Sequence, residues 1–366
     1  MITFWTDTRG RGNFTNFLRG KVDATYPAIT VARYEDLQHA QSVRSAAHIF
    51  SALDQLSPAG LSAVGSIWDQ LARSAPQVRL LNDPRKVLHR YELLTALADA
   101  GLNRFRAHEA AGDLRSVRFP AFIREERRHT GAWSLLHDRR ELDRALTALV
   151  ARGFRREDLL VIEFCDTSDT SGVFRKYGAL KIGDRILPRH MMIGREWMLK
   201  SSTKLMTRES ALEELAYVRD NPHEAWLRRV FEIARIDYGR VDYAMLGDMP
   251  QLWEINLDPA LGAGSRGDDA RDPDCAQILK ERRAIAKRAM AEAWHALEAA
   301  DPLPSPTTIT VARRTLRAVA RERRWKQWRR KAIALGQWCA DRPVVAWPLR
   351  WTYRRLFPGP TVFRMP

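Results

Sequence analysis

Arg240-Val241-Asp242-Tyr243 … Leu252-Trp253-Glu254-Ile255-Asn256-Leu257-Asp258-Pro259 is the stretch on which the reading of this chain turns. Two short apolar strands flank Gly247-Asp248-Met249-Pro250, which has turn residues at its centre. Side chains on a strand alternate between faces, so Glu254 and Asn256 project to the same side. A hairpin that closes at Asp248-Met249 brings Asp242 near Glu254. Two carboxylates and an amide oxygen then share one face. Mg²⁺ takes oxygen ligands at about 2.1 Å, commonly one or two carboxylates completed by phosphate oxygens. The expectation is a hairpin that holds Mg²⁺ and a nucleoside triphosphate. The competing reading is a solvated sheet edge, where Asp and Glu are ordinary. Two details favour the site. Val241, Tyr243, Leu252, Trp253, Ile255 and Leu257 make the flanks apolar, as in a buried sheet. An Asn beside a Glu is poor strand chemistry, and a broken local rule often marks function.

Upstream, strands and helices alternate. Ile2 to Thr6 reads as a strand and runs into Arg9-Gly10-Arg11-Gly12-Asn13, with a helix from Thr15. A Gly-containing turn between strand and helix can cradle an anion, although two glycines also make a plain tight turn. Ala28 to Ala32 is a second strand. Helical spacing is expected for Gln41 to Leu56 (Ile49, Leu53, Leu56) and for Ala59 to Ser74 (Leu61, Val64, Ile67, Leu71). Val78 to Leu81 is a strand that stops at Asn82-Asp83-Pro84, closing a small α/β domain near residue 80. Arg85 to Ala100 reads as an amphipathic helix ended by Gly101. Val117 to Arg124 is a strand. Glu141 to Arg152 is a helix, Leu159 to Cys165 an apolar strand, and Phe174 to Leu187 a hairpin turning at Gly183-Asp184. Ala211 to Asp220 and Ala225 to Ala234 are helices before the opening hairpin, and Gln277 to Ala299 is a long helix after it.

The 366 residues allow two or three domains with a sizeable core. Hydrophobic residues at 45% and charged residues at 28% are ordinary for a globular protein. Cys165, Cys275 and Cys339 are far apart with no CxxC, which argues against a disulfide framework or zinc site and fits a reducing cytoplasm. The first residues lack the basic start of a signal peptide, and no apolar run approaches the ~18 residues of a spanning helix. The net charge is +16, and it is concentrated. After Pro302-Leu303-Pro304-Ser305-Pro306, the stretch from Thr310 holds fifteen Lys and Arg against two acids, interleaved with Trp325, Trp328, Trp338, Trp347 and Trp351.

In this order the pieces resemble the ATP-grasp superfamily, over roughly Asn82 to Pro259. The leading helix carries basic residues. Phe119-Pro120-Ala121-Phe122-Ile123-Arg124 matches a Phe-Pro-x-x-x-basic strand. Glu163-Phe164 ends the next strand, the Phe174 to Leu187 hairpin follows, and Asp242, Glu254, Asn256 and Pro259 come last. The resemblance implies an α/β protein. It has an N-terminal pre-ATP-grasp α/β domain (1–80), an ATP-grasp core of two α+β subdomains (81–300) and a basic helical tail (301–366). It implies ATP and Mg²⁺ as cofactors, with Asp242, Glu254 and Asn256 as metal ligands. Arg124 stands where a basic side chain reaches the phosphates, and a bidentate guanidinium suits them. Arg90 falls near the leading basic residue, with Arg85 and Lys86 as competitors. Glu163, Phe164 and Cys165 would form the hinge under the adenine, and Lys176 would meet phosphate or be a solvated hairpin lysine. Two departures stand out. The phosphate-covering loop is usually Gly-rich, but Glu125-Glu126-Arg127-Arg128-His129-Thr130-Gly131 is charged. An arginine expected in the hairpin is replaced at Gly178.

The reaction implied is ATP-dependent activation of a carboxylate as an acyl phosphate, then attack by an amine. Phosphoryl transfer to a small molecule and nucleotide binding with little catalysis are the alternatives. Arg189 is the candidate contact for a substrate carboxylate or the transferring phosphoryl group, or else a surface arginine at a strand end; His190, Lys200 and Asn13 are further candidates. The basic tail is read as a helix packed back on the body with a solvated face. It would otherwise meet an anionic membrane surface or an acidic partner, and nucleic acid is disfavoured because no reading motif accompanies the charge. The expected location is cytoplasmic, peripheral at a membrane if the tail binds lipid.

Overall fold

A computed structural model describes residues 1–7, 10, 14, 17, 26–38, 40–74, 76–127, 133–200, 205–261, 273–298 and 305–340. The helix expected from Thr15, and Arg9, Arg11, Gly12, Asn13, Arg128, His129, Thr130 and Gly131, lie outside these residues. Helices and strands mix in an α/β arrangement, and the chain divides into two compact units. One holds residues 1–104 and 165–316, the other 105–164 and 317–366.

The first unit begins with β1 (Ile2–Thr6), β2 (Ile29–Arg33), β3 (Gln41–Val43), β4 (Ala47–Phe50), α1 (Pro58–Ser74), β5 (Arg79–Leu81) and α2 (Arg90–Asp99). β2, β1, β4 and β5 form a parallel sheet in that order. The helix expected over Gln41 to Leu56 is instead β3, β4 and a single 3-10 turn at Leu53–Gln55. Every residue of Ala47–Phe50 is buried. A central parallel strand reads as an unbroken apolar run, so its Ile49 mimicked a helical repeat with Leu53 and Leu56. α2 starts five residues later than expected. His89 and Glu92 close a capping box there, while the Lys86 and Val87 amides bond back to the Asp83 carbonyl in a turn. α1 begins at Pro58, where a missing N–H costs nothing, and buries Ala63, Val64, Ile67 and Leu71.

The second unit holds β6 (Ala107–Glu109), β7 (Ala121–Glu125), α3 (Arg139–Ala151) and β8 (Leu159–Glu163). Its sheet runs β6-β8-β7, antiparallel throughout. Asp138 caps α3 through the Glu141 amide, and Leu142, Leu146 and Leu149 pack into a core with Ile123, Leu159 and Val161.

The first unit resumes with β9 (Phe174–Ile182), β10 (Arg185–Gly194), α4 (Arg208–Asp220), α5 (Glu224–Ala234), β11 (Tyr238–Leu246), β12 (Met249–Asn256), α6 (Pro273–His295) and β13 (Thr307–Ile309). β10, β9, β11 and β12 make an antiparallel sheet in that order. Phe4, Ile49 and Leu81 of the parallel sheet share one core with Leu180, Ile182 and Tyr238 of the antiparallel sheet and Trp294 of α6. β13 pairs antiparallel with β3. α7 (Arg313–Ala340) follows it.

Candidate functional site

β11 and β12 close at the two-residue turn Gly247-Asp248, with Gly247 at φ 56, one residue earlier than the register expected from the sequence. On that register alone Asp242 would pair with Trp253, one residue out of step with Glu254. A bulge restores the pairing. Tyr243 pairs with Leu252, Trp253 is the extra residue, and Asp242 pairs with Glu254. A bulge commonly re-aims side chains in this way. Asp242 also pairs with Gly178 on β9, and Gly178 pairs with His190 on β10. One row therefore crosses the whole sheet as His190, Gly178, Asp242 and Glu254. Two residues along β11, on the same face, Arg240 pairs with Asn256.

Each carboxylate in the row has cations against it. Arg90 Nη2 of α2 is 2.6 Å from Glu254 Oε2, and both side chains are largely buried. Of the three competing basic residues, only Arg90 is placed there. Arg85 pairs with Asp69 and Asp83, and Lys86 with Asp83. Asp242 lies 3.2 Å from Arg240 Nε and 3.4 Å from Lys176 Nζ. Burial raises the Asp242 carboxyl, but Arg240 and Lys176 outweigh burial and Glu254 and hold it below its ordinary value. Asp242 is thus ionised at neutral pH. Asn256 Oδ1 accepts the Asp258 amide at 2.8 Å, which fixes the side chain and leaves its second lone pair to the face.

Arg189 is buried rather than a surface arginine; its Nη2 donates to the Leu261 carbonyl at 3.2 Å. Burial, with Arg282 and Arg240 nearby, pushes the guanidinium down to about 10, still charged at neutral pH. Arg282 in turn donates to the Arg189 carbonyl and pairs with Glu214. Arg90, Arg240 and Lys176 thus stand against the two carboxylates Asp242 and Glu254.

Gly178, where an arginine was expected, has a steric cause. A Cβ there would sit 2.6 Å from His190 Nε2, inside the ring's contact distance. His190 covers the space that a side chain at 178 would fill. Its Nε2 is buried with no hydrogen-bond partner among the described residues. Burial, reinforced by Arg240, pushes this imidazole down to about 3, so it is neutral at physiological pH. Gly178→Ala is expected to lose about 1–3 kcal/mol of stability by overpacking. Adding His190→Ala should recover part of that loss, a coupling read from denaturant midpoints of the two single variants and the double. His190, a candidate substrate contact from sequence beside Arg189, lies in the row next to Gly178. Arg240 was not singled out from sequence but could have been, by its i, i+2 spacing to Asp242.

In the second unit Arg124 lies on β7, paired in register with Leu160. Glu163 ends β8 fully engaged. It accepts the Arg106 and Arg118 amides, the Arg118 guanidinium at 2.7 Å and the His108 ring at 3.2 Å. Burial raises its carboxyl, yet His108, Arg118 and the two amides overcome this and bring it down to about 2 from an ordinary 4.5. A carboxyl depressed on folding stabilises above its unfolded value and loses that as pH falls. Glu163→Gln should therefore lower stability at pH 7 and flatten the acid side of the stability profile between about 4.5 and 2, measured by denaturant melts across pH. The Phe164 amide donates to the Pro120 carbonyl at 2.8 Å, so that N–H is committed within the fold. Cys165 follows at the start of the next segment of the first unit, a thiol outside any disulfide.

No protein-family model matches the chain, and no characterised protein matches it in sequence. Its structure is similar in part to several solved structures. ATP-grasp ligase PsnB, complexed with minimal precursor, Mg and ADP, is 13% identical with a TM-score of 0.43 over 77% of this chain and 97% of its own. D-alanine–D-alanine ligase from Coxiella burnetii is 11% identical with a TM-score of 0.46, over 80% of this chain and 95% of its own. The same enzyme from Bacillus anthracis, complexed with ATP, is 13% identical with a TM-score of 0.43, over 80% and 98%. Likeness at this level carries no weight for reaction, substrate or cofactor, which rest on the chain's own residues.

Among the described residues no three His, Cys, Asp or Glu side chains gather as a metal site. The face offers two opposed carboxylates and one amide oxygen. That partial, all-oxygen set fits Mg²⁺, which dehydrates reluctantly and takes its remaining ligands from phosphate and water. It does not fit zinc, which asks for nitrogen and sulfur.

Proposed function

We propose that the chain is an ATP-grasp enzyme that uses Mg-ATP to join a carboxylate to an amine. One observation carries this reading: three cations, Arg90, Arg240 and Lys176, against the opposed carboxylates Asp242 and Glu254 on a single sheet face. The carboxylate pair calls for a bound cation. The surplus of positive side chains calls for a polyanion at the same place. A magnesium–triphosphate complex satisfies both at once. Asp242, Glu254 and Asn256 would hold the metal, which when bound draws charge from the phosphate oxygens and orients them. Arg240 and Lys176 keep Asp242 ionised and oriented. Arg90 fixes Glu254 and contributes charge toward the nucleotide. Arg189, held by Leu261, receives the substrate carboxylate or the transferring phosphoryl group.

In this scheme a carboxylate oxygen attacks the γ-phosphorus, the bond to the β-phosphate oxygen breaks, and ADP leaves. The amine nitrogen then attacks the acyl carbon, phosphate departs and the amine loses a proton. No side chain forms a covalent bond, which agrees with a face built of cations and metal-binding oxygens. The test is turnover with Mg-ATP across a panel of acids and amines, products resolved by mass. The expected result is ADP, phosphate and an amide in equal amounts. ADP with a stable phosphorylated small molecule would identify a kinase instead, and no nucleotide consumption with any pair would reject catalysis.

A further inference from the structure

The basic helix α7 is outside this chemistry, and its composition and exposure point to a partner. From Arg313 to Lys331 it holds ten Lys and Arg against one acid, Glu322. Arg313, Arg314, Arg317, Arg321, Arg323, Arg324 and Lys331 are all exposed. Trp325 is 60% exposed and Trp328 40%, whereas Trp5 and Trp294 are fully buried. The two exposed rings stack on each other, centroids 5.1 Å apart at 21°. Arg314, Arg317, Arg321, Trp325 and Trp328 follow three- and four-residue steps, so they lie along one side of the helix. The segment that follows, Ala332-Ile333-Ala334-Leu335-Gly336-Gln337-Trp338-Cys339-Ala340, carries no charge.

We infer that α7 is a peripheral docking helix for an anionic lipid surface. Ten cations in nineteen residues demand a dense field of negative charge, and each one near an anionic leaflet contributes about 1 kcal/mol. Trp prefers the headgroup level, where its ring is half in apolar surroundings and its N–H meets water. Arginine stems can lie along apolar surface while their heads reach phosphates, so Arg and Trp share one side without conflict. The uncharged segment is far shorter than the ~20 residues of a span. Among the described residues no helix is long and apolar enough to cross a membrane, so α7 would lie on the surface. One feature disfavours nucleic acid: the Trp rings cover each other's inner faces, so no base can enter between them.

The test is co-sedimentation of the full chain with vesicles of phosphatidylcholine alone and of phosphatidylcholine mixed with phosphatidylglycerol. The chain should pellet with the anionic vesicles only, and about 0.5 M salt should release it. Trp325→Ser with Trp328→Ser should lower the partition coefficient roughly tenfold. Arg317→Gln, Arg321→Gln and Arg324→Gln together should lower it about a hundredfold. Thermal melts of each variant report that it remains folded. Three results would overturn the assignment: no binding of the folded chain to anionic vesicles, folded variants that bind as well as the parent, or full displacement by an oligonucleotide at equal phosphate. The last would give the surface to nucleic acid.

Discussion

Asp242→Asn and Glu254→Gln are each expected to reduce Mg-ATP turnover by about 10²–10³-fold, and the double variant to leave it at background. These changes keep size and an oxygen atom while removing the negative charge. Asp242 is held ionised against burial by Arg240 and Lys176, and neutralising it removes the charge that a divalent ion needs. Glu254 is the partner of buried Arg90, so neutralising it weakens a buried ion pair. Both changes should therefore lower stability as well as activity, since each carboxylate is paired in the fold. Calorimetric titration separates binding from chemistry. ATP affinity of the parent should rise with Mg²⁺, and that Mg²⁺ dependence should vanish in the double variant. If the folded double variant binds ATP with the parent's Mg²⁺ dependence, the metal ligands lie elsewhere.

Asn82→Ala should be the most damaging single change outside that face, costing about 3–4 kcal/mol of stability. Asn82 is fully buried just after β5 with φ 65, a backbone region that Asn adopts more readily than Ala. Its Nδ2 donates to the Phe50 carbonyl at 3.0 Å and the Tyr238 carbonyl at 2.8 Å. Its Oδ1 accepts the Asp237 amide at 2.8 Å and the Tyr238 amide at 3.0 Å. One side chain thus joins the end of β4 to the start of β11. Truncation leaves four buried backbone groups unpaired and frees the strand that carries Arg240 and Asp242. Denaturant melts should show the loss, and Mg-ATP affinity should fall with it. Asn82→Asp should also be destabilised, because a carboxylate cannot donate to the two carbonyls. A melt within 0.5 kcal/mol of the parent for Asn82→Ala, about the scatter of surface changes, would show that these bonds do not hold the sheets together.

Much of the fold could be read from periodicity and turn residues. α1, α3, α4, α5 and the start and turn of the β9–β10 hairpin fall within a few residues of expectation, because each has a clear stop such as Gly153 or Gly183, while β10 runs seven residues past the expected Leu187. The failures share a cause, which is tertiary context overriding local pattern. β4 is apolar because it lies inside a parallel sheet, and four residues cannot distinguish that from a helical turn. α2 starts at a cap made by a histidine, an unusual residue for the role. For the site, Asp242, Glu254 and Asn256 were legible as an oxygen-bearing set. The device that aligns them, the bulge at Trp253, was not, since nothing local announces an extra residue in a strand. Gly178 looked like a gap until His190 was seen above it. Partners twelve positions away along a hairpin have no signature in order alone.

The central claim is that Asp242, Glu254 and Asn256 form the metal face for a bound triphosphate. A crystal structure with Mg²⁺ and a non-hydrolysable ATP analogue tests it most directly. The account predicts Mg²⁺ at about 2.1 Å from carboxylate oxygens of Asp242 and Glu254 and from Asn256 Oδ1, with its other ligands phosphate oxygens and water. A nucleotide bound with its metal away from this row, or held with no oxygen from these three residues, would contradict it.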